Sequence, residues 1–397
     1  MKWRLANGKV VLENSIEENS SIIIDGSKIL NIMSANSGTL GRSDNYDKTI
    51  DVSGCYILPG FIDLHCHGGR GADVMDSSPD ALDTIGRFHA SGGTAYFLAT
   101  TASDSLKNMV DVLETVRSVK GDLNSGAKIL GVHLEGPYFS FSKHGCHLPE
   151  FVRNPSESET EVILHYKDII RSITMAPEIP GAADAIKRFT ENNIVASLGH
   201  TACSYNEAIK AIDAGARHVT HLYCAMSGIV KNGIERSGGM IETALLEDRL
   251  TCEIIADGIH LPEELIRLAV KIKSPEKICV VTDAMRGAGM QDGIYTFGSL
   301  RGQEAVTSGK IAVVKDKGGL ASSLFKMNEM FRHLRENMNF SYTDLAKMFS
   351  LTPARILSME EKLGSIKPGK AASFTILDSN HEVKATIVDG NVVYLRE

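Results

Sequence analysis

Five short apolar segments of the sequence end on ionisable side chains. These side chains are histidines and carboxylates, namely His65, His67, Glu135, His200, His221 and Asp283. Imidazole nitrogens and carboxylate oxygens are common protein ligands of Zn²⁺ and of similar divalent ions. Because a buried ionisable group is costly unless it is paired or binds a metal, the repeated pattern predicts a metal site.

Two imidazoles and one carboxylate, from His200, His221 and Glu135, make a three-ligand site that leaves a position open to water. A divalent ion lowers the pKa of water from near 16 to about 7, which supplies a nucleophile at neutral pH. Asp283 ends the segment VVTDA. We expect its carboxylate to take the proton of that water and pass it to a leaving amine. The pattern therefore predicts a metal-dependent hydrolase.

Other histidines are assigned by their context. His65 and His67 form an HxH pair, which many proteins carry without a metal, but here the pair follows an apolar strand and the turn LPGF. We expect it to bind metal, and the sequence leaves open whether one or two ions bind. His260 and His147 are candidates for holding the substrate or polarising a carbonyl oxygen. Four further histidines are interpreted as structural or surface residues outside the site: His89, His165, His218 and His333.

The elements that must position these residues follow a regular rhythm in the middle of the chain. Eight short apolar runs lie at 61–68, 94–101, 129–136, 172–179, 194–201, 218–224, 251–258 and 277–284. Helical patterns such as SPDALDTIGRFHASG and SYNEAIKAIDAGA separate them. Near-continuous apolar strands that alternate with helices predict a parallel sheet, and eight of them predict a closed (β/α)8 barrel. A doubly wound open sheet is the alternative, which normally uses fewer strands.

The two ends of the chain have a different pattern. Both carry β-rich runs broken by Gly, Asn and Asp, so we expect residues 1–58 and 360–397 to form one small β-sandwich-like domain. Residues 59–359 would then form the barrel. Within it, residues 285–320 predict a β-hairpin insertion, and 322–337 and 342–358 predict helices.

Composition narrows the class of protein. The chain has 397 residues, enough for a barrel and a modest second domain, and a formal net charge of −7, which argues against a nucleic-acid partner. Its seven cysteines show no CxxC pair, which indicates reduced thiols in a cytoplasmic protein. Neither a signal peptide nor a membrane-spanning segment is expected.

Several motifs together make the likeness to a known family specific. They are HLEGP, SLGHT, THLYCAM, ADGIH and VVTDA, followed by the tail motif GSIKPGKAA. In this order they resemble the amidohydrolase superfamily, and within it the family of N-acetylglucosamine-6-phosphate deacetylases. The resemblance runs from about residue 50 to the tail. It implies hydrolysis of the acetamide of an N-acetylated amino-sugar phosphate, in an enzyme that is usually a homodimer.

The resemblance also implies residue roles. Glu135, His200 and His221 would hold the main ion, and His65 and His67 would help to hold a second ion in members that use two. Zn²⁺ is the first choice of metal, with Fe²⁺, Mn²⁺ and Co²⁺ as alternatives. Asp283 is implied as the general acid/base. The remaining residues are implied to contact the substrate: His147, His260, Cys224 and Ala225.

The sequence differs from the family pattern at positions that the resemblance implies bind the substrate phosphate. Cys224 stands where the family usually has Asn, and residues 235–239 read ERSGG in place of Arg-Glu-Pro-Gly. Arg236, Lys231 and Arg286 are candidates for the phosphate-binding cation, since an arginine binds phosphate through two hydrogen bonds. Arg236 is the first choice.

Two alternatives remain beside the leading hypothesis. The first is an amidohydrolase for a different N-acyl sugar, such as N-acetylgalactosamine 6-phosphate or an unphosphorylated amino sugar. The second is a catalytically silent barrel that serves as a binding protein, which predicts that a metal or acid/base residue is missing. None of these residues is missing from the sequence.

Overall fold

The computed structural model describes residues 1–34, 46–119, 121 and 125–397. Residues 35–45 of the predicted small β domain therefore lie outside the described part. The described chain forms two large sheets of eight strands each, with helices around one of them. No helix in the described ranges is both long and apolar enough to cross a membrane.

The chain begins with strands that belong to the smaller domain. They are β1 (Lys2–Val11), β2 (Ile16–Asp25), β3 (Lys28–Met33), β4 (Lys48–Asp51) and β5 (Tyr56–Pro59). Strands of the central part follow as β6 (Phe61–Cys66), β7 (Gly68–Gly69), β8 (Ala72–Asp73), β9 (Thr94–Thr101), β10 (Lys128–Glu135), β11 (Ile170–Met175), β12 (Val195–Leu198), β13 (His218–Val219), β14 (Val230–Asn232), β15 (Glu235–Ser237), β16 (Thr251–Ile254), β17 (Ile278–Val280), β18 (Ile294–Phe297), β19 (Gln303–Ser308) and β20 (Ile311–Val314). The chain ends with β21 (Phe374–Leu377), β22 (Val383–Val388) and β23 (Asn391–Leu395).

The helices lie between the strands of the central part and after them. They are α1 (Pro79–Ala90), α2 (Leu106–Val119), α3 (Glu157–Leu164), α4 (Ala182–Glu191), α5 (Tyr205–Asp213), α6 (Met240–Leu246), α7 (Glu263–Lys273), α8 (Met327–Arg332), α9 (Tyr342–Ala346) and α10 (Thr352–Ile356). Stretches of π-helix at His333–Asn337 and Lys347–Leu351 follow α8 and α9.

Eight parallel strands form the barrel, in the order β6-β9-β10-β11-β12-β13-β16-β17. The segment after β17 closes it, because the backbone N–H of Asp283 donates to the carbonyl of His65 at 2.8 Å and that of His67 donates to Ala284 at 2.9 Å. Each of the eight predicted apolar runs overlaps one of these strands, and only β10 and β11 begin one or two residues before their run. The prediction of a (β/α)8 barrel is confirmed, since strands buried on both faces need helices outside and packed side chains inside.

The smaller sheet joins the two ends of the chain. Its order is β3-β2-β1-β5-β21-β22-β23, with β4 paired to β1, and the antiparallel pair of β5 and β21 connects the N-terminal strands to the C-terminal ones. Residues from both ends, among them Trp3, Ile57 and Phe374, share one buried hydrophobic cluster. A small β domain built from both ends is confirmed, and its boundaries at 58/59 and 359/360 stay a prediction.

The insertion after β17 is larger than the sequence predicted. Instead of a hairpin, β18, β19 and β20 form a three-stranded antiparallel sheet. The segment IYTF pairs with the EAVTS strand over four residues, which adds the third strand. The helix predicted from 322 begins only at Met327, because Ser322 adopts a left-handed backbone with φ +59° and the N-cap residue Lys326 is still extended, with φ −94° and ψ 162°.

The smaller sheet packs against the N-terminal ends of barrel strands, on the side opposite to the strand ends that carry the ionisable residues. Thr375 is fully buried there. Its hydroxyl accepts from the backbone N–H of Phe61 at 3.2 Å and donates to the carbonyl of Gly93 at 2.5 Å. One side chain thereby satisfies two buried backbone groups of the barrel.

Thr375→Val keeps the shape of the side chain and removes both hydrogen bonds. We expect the free energy of unfolding to fall by about 1–3 kcal/mol, because the amide of Phe61 and the carbonyl of Gly93 are left buried without a partner. Urea denaturation followed by the fluorescence of Trp3 would measure the change. Thr49→Val, at an exposed position of β4, is the matched control and should change stability by less than about 0.5 kcal/mol. Equal stability of the two variants would contradict this role of Thr375.

Candidate active site

A cavity of about 320 Å³ opens at the C-terminal ends of the barrel strands. This is the end at which (β/α)8 barrels carry their functional residues. The residues that line it come from strand ends and from the loops that follow: Glu135, Gly145, Cys146, His147, His200, His221, Cys224, Ala225, Ile255, His260, Asp283, Phe297, Leu320 and Ser322. The structure thus brings together most of the residues that the sequence singled out.

Glu135, at the end of β10, lies at the centre of the ionisable groups. Its Oε1 is 3.2 Å from Nε2 of His200 and 3.0 Å from Nε2 of His221. The two imidazole nitrogens are themselves 3.1 Å apart. These three side chains therefore offer their ligand atoms to one point in space.

His65 and His67 lie behind the cavity wall and are fully buried. Nε2 of His65 is 3.3 Å from Oε1 of Glu135, and Nε2 of His67 is 3.1 Å from its Oε2. Oδ1 of Asp283 lies 3.4 Å and 3.3 Å from the same two nitrogens. Glu135 is thus shared by two groups of donors, one with His200 and His221 and one with His65 and His67.

The hydrogen bonds of the imidazoles decide what these groups can bind. Nδ1 of His200 donates to the carbonyl of Lys143 at 2.8 Å, so Nε2 of the neutral ring carries a lone pair. That lone pair faces a carboxylate oxygen of Glu135, which is also an acceptor. Two acceptors at this distance repel each other unless a cation lies beside them. The donor set therefore fits a divalent metal ion.

Burial and charge shift the pKa values of the site in opposite directions. Burial would raise the pKa of Glu135 and of Asp283, but the neighbouring His65 and the other imidazoles outweigh it. The pKa of Glu135 falls well below its ordinary value, and that of Asp283 falls to about 2. The carboxylates in turn outweigh burial at His67 and raise its pKa to about 9. Because an ion must displace such protons, we expect the metal to bind more weakly as the pH falls.

The backbone is strained where it presents these side chains. His200, His221 and Asp283 adopt left-handed conformations, with φ of +49°, +27° and +47°. Non-glycine residues rarely adopt positive φ, and each costs about 1–3 kcal/mol. The three residues follow β12, β13 and β17, where such a turn aims the side chain into the barrel mouth.

His147 and His260 approach the cavity from loops. The backbone N–H of Ser103 donates to Nδ1 of His147 at 3.0 Å, so its Nε2–H donates to Oε2 of Glu135 at 3.1 Å. Nδ1 of His260 donates to Oδ2 of Asp257 at 2.7 Å. This bond raises the pKa of His260 even though burial opposes it, and it fixes the ring at the cavity wall.

The predicted phosphate-binding cations lie elsewhere. Arg236 belongs to the exposed hairpin of β14 and β15, directly opposite Lys231, and neither residue lines the cavity. Arg286 is buried and engaged, because its guanidinium donates to Asp76 at 2.7 Å and to the carbonyl of Gly298 at 2.9 Å. Cys224 and Ala225 line the cavity as expected.

The structure adds site residues that the sequence reasoning missed. Ser322 donates to Oδ1 of Asp283 at 3.0 Å, and Phe297 of β18 lines the cavity. Glu253 of β16 accepts a hydrogen bond from Nδ1 of His65 at 3.0 Å. A signal for Glu253 was present, because it is the one charged residue inside the apolar run TCEIIA of a barrel strand.

Comparison with known proteins agrees with this arrangement. Residues 56–393 match the model of the amidohydrolase family. The chain belongs to this family. The amidohydrolase assignment made from the motifs is thereby confirmed.

Individual amidohydrolase relatives narrow the likeness. The chain is 37% identical to N-acetylglucosamine-6-phosphate deacetylase of Bacillus subtilis (strain 168), over 97% of this chain and 96% of the relative. It is 35% identical to N-acetylgalactosamine-6-phosphate deacetylase of Escherichia coli O157:H7, over 85% of this chain and 87% of the relative. The crystal structure of N-acetylglucosamine-6-phosphate deacetylase from Pasteurella multocida superposes with a TM-score of 0.91 at 29% identity, and it covers 99% of both chains.

Glu135→Ala removes the carboxylate that both groups of donors share. We expect the variant to lose bound metal almost completely, because Glu135 is the one carboxylate among the described residues that contacts both pairs of imidazoles. Elemental analysis of the purified variant would measure the metal content. Melting curves of the variant with and without added Zn²⁺ would show no stabilisation. In the unaltered protein, Zn²⁺ at a hundred times its Kd should raise the free energy of unfolding by about 2.7 kcal/mol.

Glu159→Gln is the matched control for this experiment. Glu159 is also buried, but it pairs with Arg153 outside the cavity. This variant should keep its metal. Full metal content in Glu135→Ala would contradict the proposed role of Glu135.

Proposed function

We propose that this chain hydrolyses the acetamide of N-acetylglucosamine 6-phosphate and releases glucosamine 6-phosphate and acetate. The observation that carries the proposal is the convergence of Glu135, His200, His221 and Asp283 at one cavity of an amidohydrolase barrel. The deacetylase relatives over almost the full chain support the substrate class.

The metal is held, in this proposal, by Glu135, His200 and His221, with His65 and His67 at a second position. Zn²⁺ suits these ligands best, and Fe²⁺, Mn²⁺ or Co²⁺ are alternatives. When bound, such an ion polarises the acetyl carbonyl and lowers the pKa of water.

Asp283 is the general acid/base of the proposed reaction. Its low pKa leaves the carboxylate ionised and ready to accept a proton from the attacking water. Ser322 orients the carboxylate by donating to Oδ1. The carbon–nitrogen bond breaks as Asp283 passes the proton to the sugar nitrogen, so the amine leaves neutral and Asp283 returns to its ionised state.

The substrate is positioned by groups around the cavity mouth. His260, oriented by Asp257, presents Nε2 as a donor or acceptor for the sugar. His147 is held at the cavity by the Ser103 amide and by Glu135, and its proposed role is to contact the acetyl group. Cys224 and Ala225 form the wall toward the sugar phosphate.

Arg236 is our candidate for binding the phosphate. Because Arg236 lies on an exposed hairpin and not at the cavity of its own chain, we propose a homodimer in which the hairpin reaches the partner's cavity. The hairpin also exposes Ile229, Val230 and Ile234, with Ile234 95% exposed, which suits burial in such an interface. All seven cysteines are free, which supports a cytoplasmic location.

A second candidate substrate is N-acetylgalactosamine 6-phosphate. The relative from Escherichia coli O157:H7 that bears this name is nearly as similar as the first relative. Cys224 motivates a test of other substrates, because a thiol stands where the family usually has an amide, but both candidate sugars carry the same phosphate, so Cys224 does not choose between them.

Asp283→Asn should lower kcat for acetate release by about 10²–10⁴-fold, because the amide cannot accept the proton of water. Acetate release from N-acetylglucosamine 6-phosphate after metal reconstitution measures the change. Asp316→Asn, an exposed substitution, serves as the control and should match the unaltered enzyme. If Asp283→Asn retains full kcat, the acid/base assignment is wrong.

A substrate panel separates the two sugars and tests Arg236. We expect kcat/KM to be highest for N-acetylglucosamine 6-phosphate, lower for its galactose epimer and lowest without phosphate. Arg236→Ala should raise KM for the phosphorylated substrates about 10-fold or more, because a charged hydrogen-bonded contact is lost, and leave the unphosphorylated sugar unchanged.

Lys231→Ala, on the paired strand of the same hairpin, is the matched control for Arg236→Ala. It should leave KM nearly unchanged. A preference for the galactose epimer would replace the leading substrate by the second candidate. No turnover of any acetylated hexosamine would reject the proposed function.

A further inference from the structure

Glu253 is a buried carboxylate on the inner face of barrel strand β16, with 2% of its surface exposed. Its Oε2 accepts hydrogen bonds from Nδ1 of His65 at 3.0 Å and from the backbone N–H of His221 at 3.1 Å. Its Oε1 is 3.2 Å from Nε2 of His218. Three hydrogen bonds thus fix the carboxylate, and two of the three involve residues assigned to the metal centre.

The hydrogen-bond partner of His65 Nδ1 decides whether the other ring nitrogen, Nε2, carries a proton or a lone pair. Since Nδ1–H donates to Glu253, Nε2 of the neutral ring holds a lone pair. This nitrogen faces Glu135 at 3.3 Å and His67 at 3.1 Å. Glu253 therefore selects the tautomer that can bind an ion between His65, His67 and Glu135.

The other histidines of the centre lack an equivalent carboxylate. Nδ1 of His200 donates to a backbone carbonyl, and Nδ1 of His67 and of His221 have no hydrogen-bond partner within the described residues. A carboxylate behind a ligand histidine makes the imidazole a stronger donor to a metal. Of these rings, His65 alone has this support in the part of the chain that the structure describes.

The charge of Glu253 needs a counter-charge inside the barrel. Among the described residues no lysine or arginine forms a salt bridge with it, and its ion-pair partners there are His65 and His218. A buried carboxylate without a balancing charge is costly. A divalent ion bound through His65 would supply that charge at the far side of the ring.

We propose that Glu253 is a positioning residue that holds His65 in the tautomer and orientation needed to bind the second metal ion. This inference rests on the proposed metal-dependent function and deepens it, since it assigns two ions to each chain. The same oxygen of Glu253 accepts from the backbone amide of His221. Glu253 therefore connects the second metal position, at His65, with the first, at His221.

The experiment counts metal ions and measures their affinities in the full-length protein. The unaltered protein should bind two Zn²⁺ per chain, and Glu253→Ala should bind one of them about 10–100-fold more weakly, the range found when a partner behind a ligand histidine is removed. Glu253→Gln keeps the size of the side chain and an acceptor for His65 but loses the charge. It should weaken the same ion less, and it serves as the second variant if Glu253→Ala does not fold.

Zn²⁺ titration by competition with a chelator, with elemental analysis after dialysis, measures both affinities without any activity assay. Co²⁺ reconstitution adds an absorption spectrum in which the loss of one ion's bands identifies the weakened position. Glu159→Gln again controls for the loss of a buried carboxylate elsewhere and should keep two ions. Partial recovery in Glu253→Gln relative to Glu253→Ala would support positioning through the hydrogen bond.

Three results would overturn the inference. One is a single ion per chain in the unaltered protein, another is unchanged affinity for both ions in the two Glu253 variants, and the third is equal weakening in Glu159→Gln. Failure of the proposed deacetylation is distinguishable, because it would appear as an absence of acetate release while the ion count of the unaltered protein stays at two.

Discussion

The Glu135 carboxylate is buried among imidazole nitrogens, of which His147 Nε2–H donates to it and two others face it without a proton when their rings are neutral. His200 and His65 each use the Nδ1 proton elsewhere, on the Lys143 carbonyl and on Glu253. Their Nε2 atoms are therefore acceptors that face another acceptor within about 3.3 Å. A positive charge makes this arrangement favourable, whether a bound metal ion or a proton on an imidazole supplies it, and this requirement explains why so many polar groups are gathered in an otherwise apolar barrel.

The same residues hold the barrel together. The Asp283 amide donates to the His65 carbonyl, and the His67 amide donates to Ala284, so the first and last strands meet through the backbone of the metal centre. The strained backbone at His200, His221 and Asp283 is maintained by the packed strands on either side. The smaller β domain lies at the other end of the barrel, where Thr375 satisfies backbone groups of Phe61 and Gly93. The contacts with the smaller domain are thus made at the end of the barrel opposite to the cavity.

The cavity walls are built differently from its floor. The floor consists of strand ends, which carry the residues of the proposed amide hydrolysis. The walls come from loops and from the insertion of β18–β20, which contributes Phe297, and from the segment with Cys224 and Ala225. The departures at Cys224 and at residues 235–239 lie outside the barrel strands, where change is better tolerated, and the strand ends keep the groups of the proposed metal site and the proposed acid/base.

Much of this protein is determined by local sequence pattern. Apolar runs that alternate with helical patterns predicted the eight barrel strands, since strands covered on both faces must be apolar throughout. The ionisable residues at the ends of these runs predicted that the ligand atoms would meet at one rim of the barrel. The two β-rich ends predicted a shared small domain.

Other features depend on contacts between distant residues, which periodicity does not encode. Glu253 and His65 are 188 positions apart, and the closed barrel alone brings the Glu253 carboxylate to Nδ1 of His65. The third strand of the insertion, the outward position of Arg236 and the engagement of Arg286 with Asp76 also depend on tertiary packing. The sequence by itself determined which residue types stand at the strand ends, because that pattern is local. The tertiary structure alone decided which nitrogen faces which oxygen, because hydrogen-bond direction is set by partners that meet only in the folded chain.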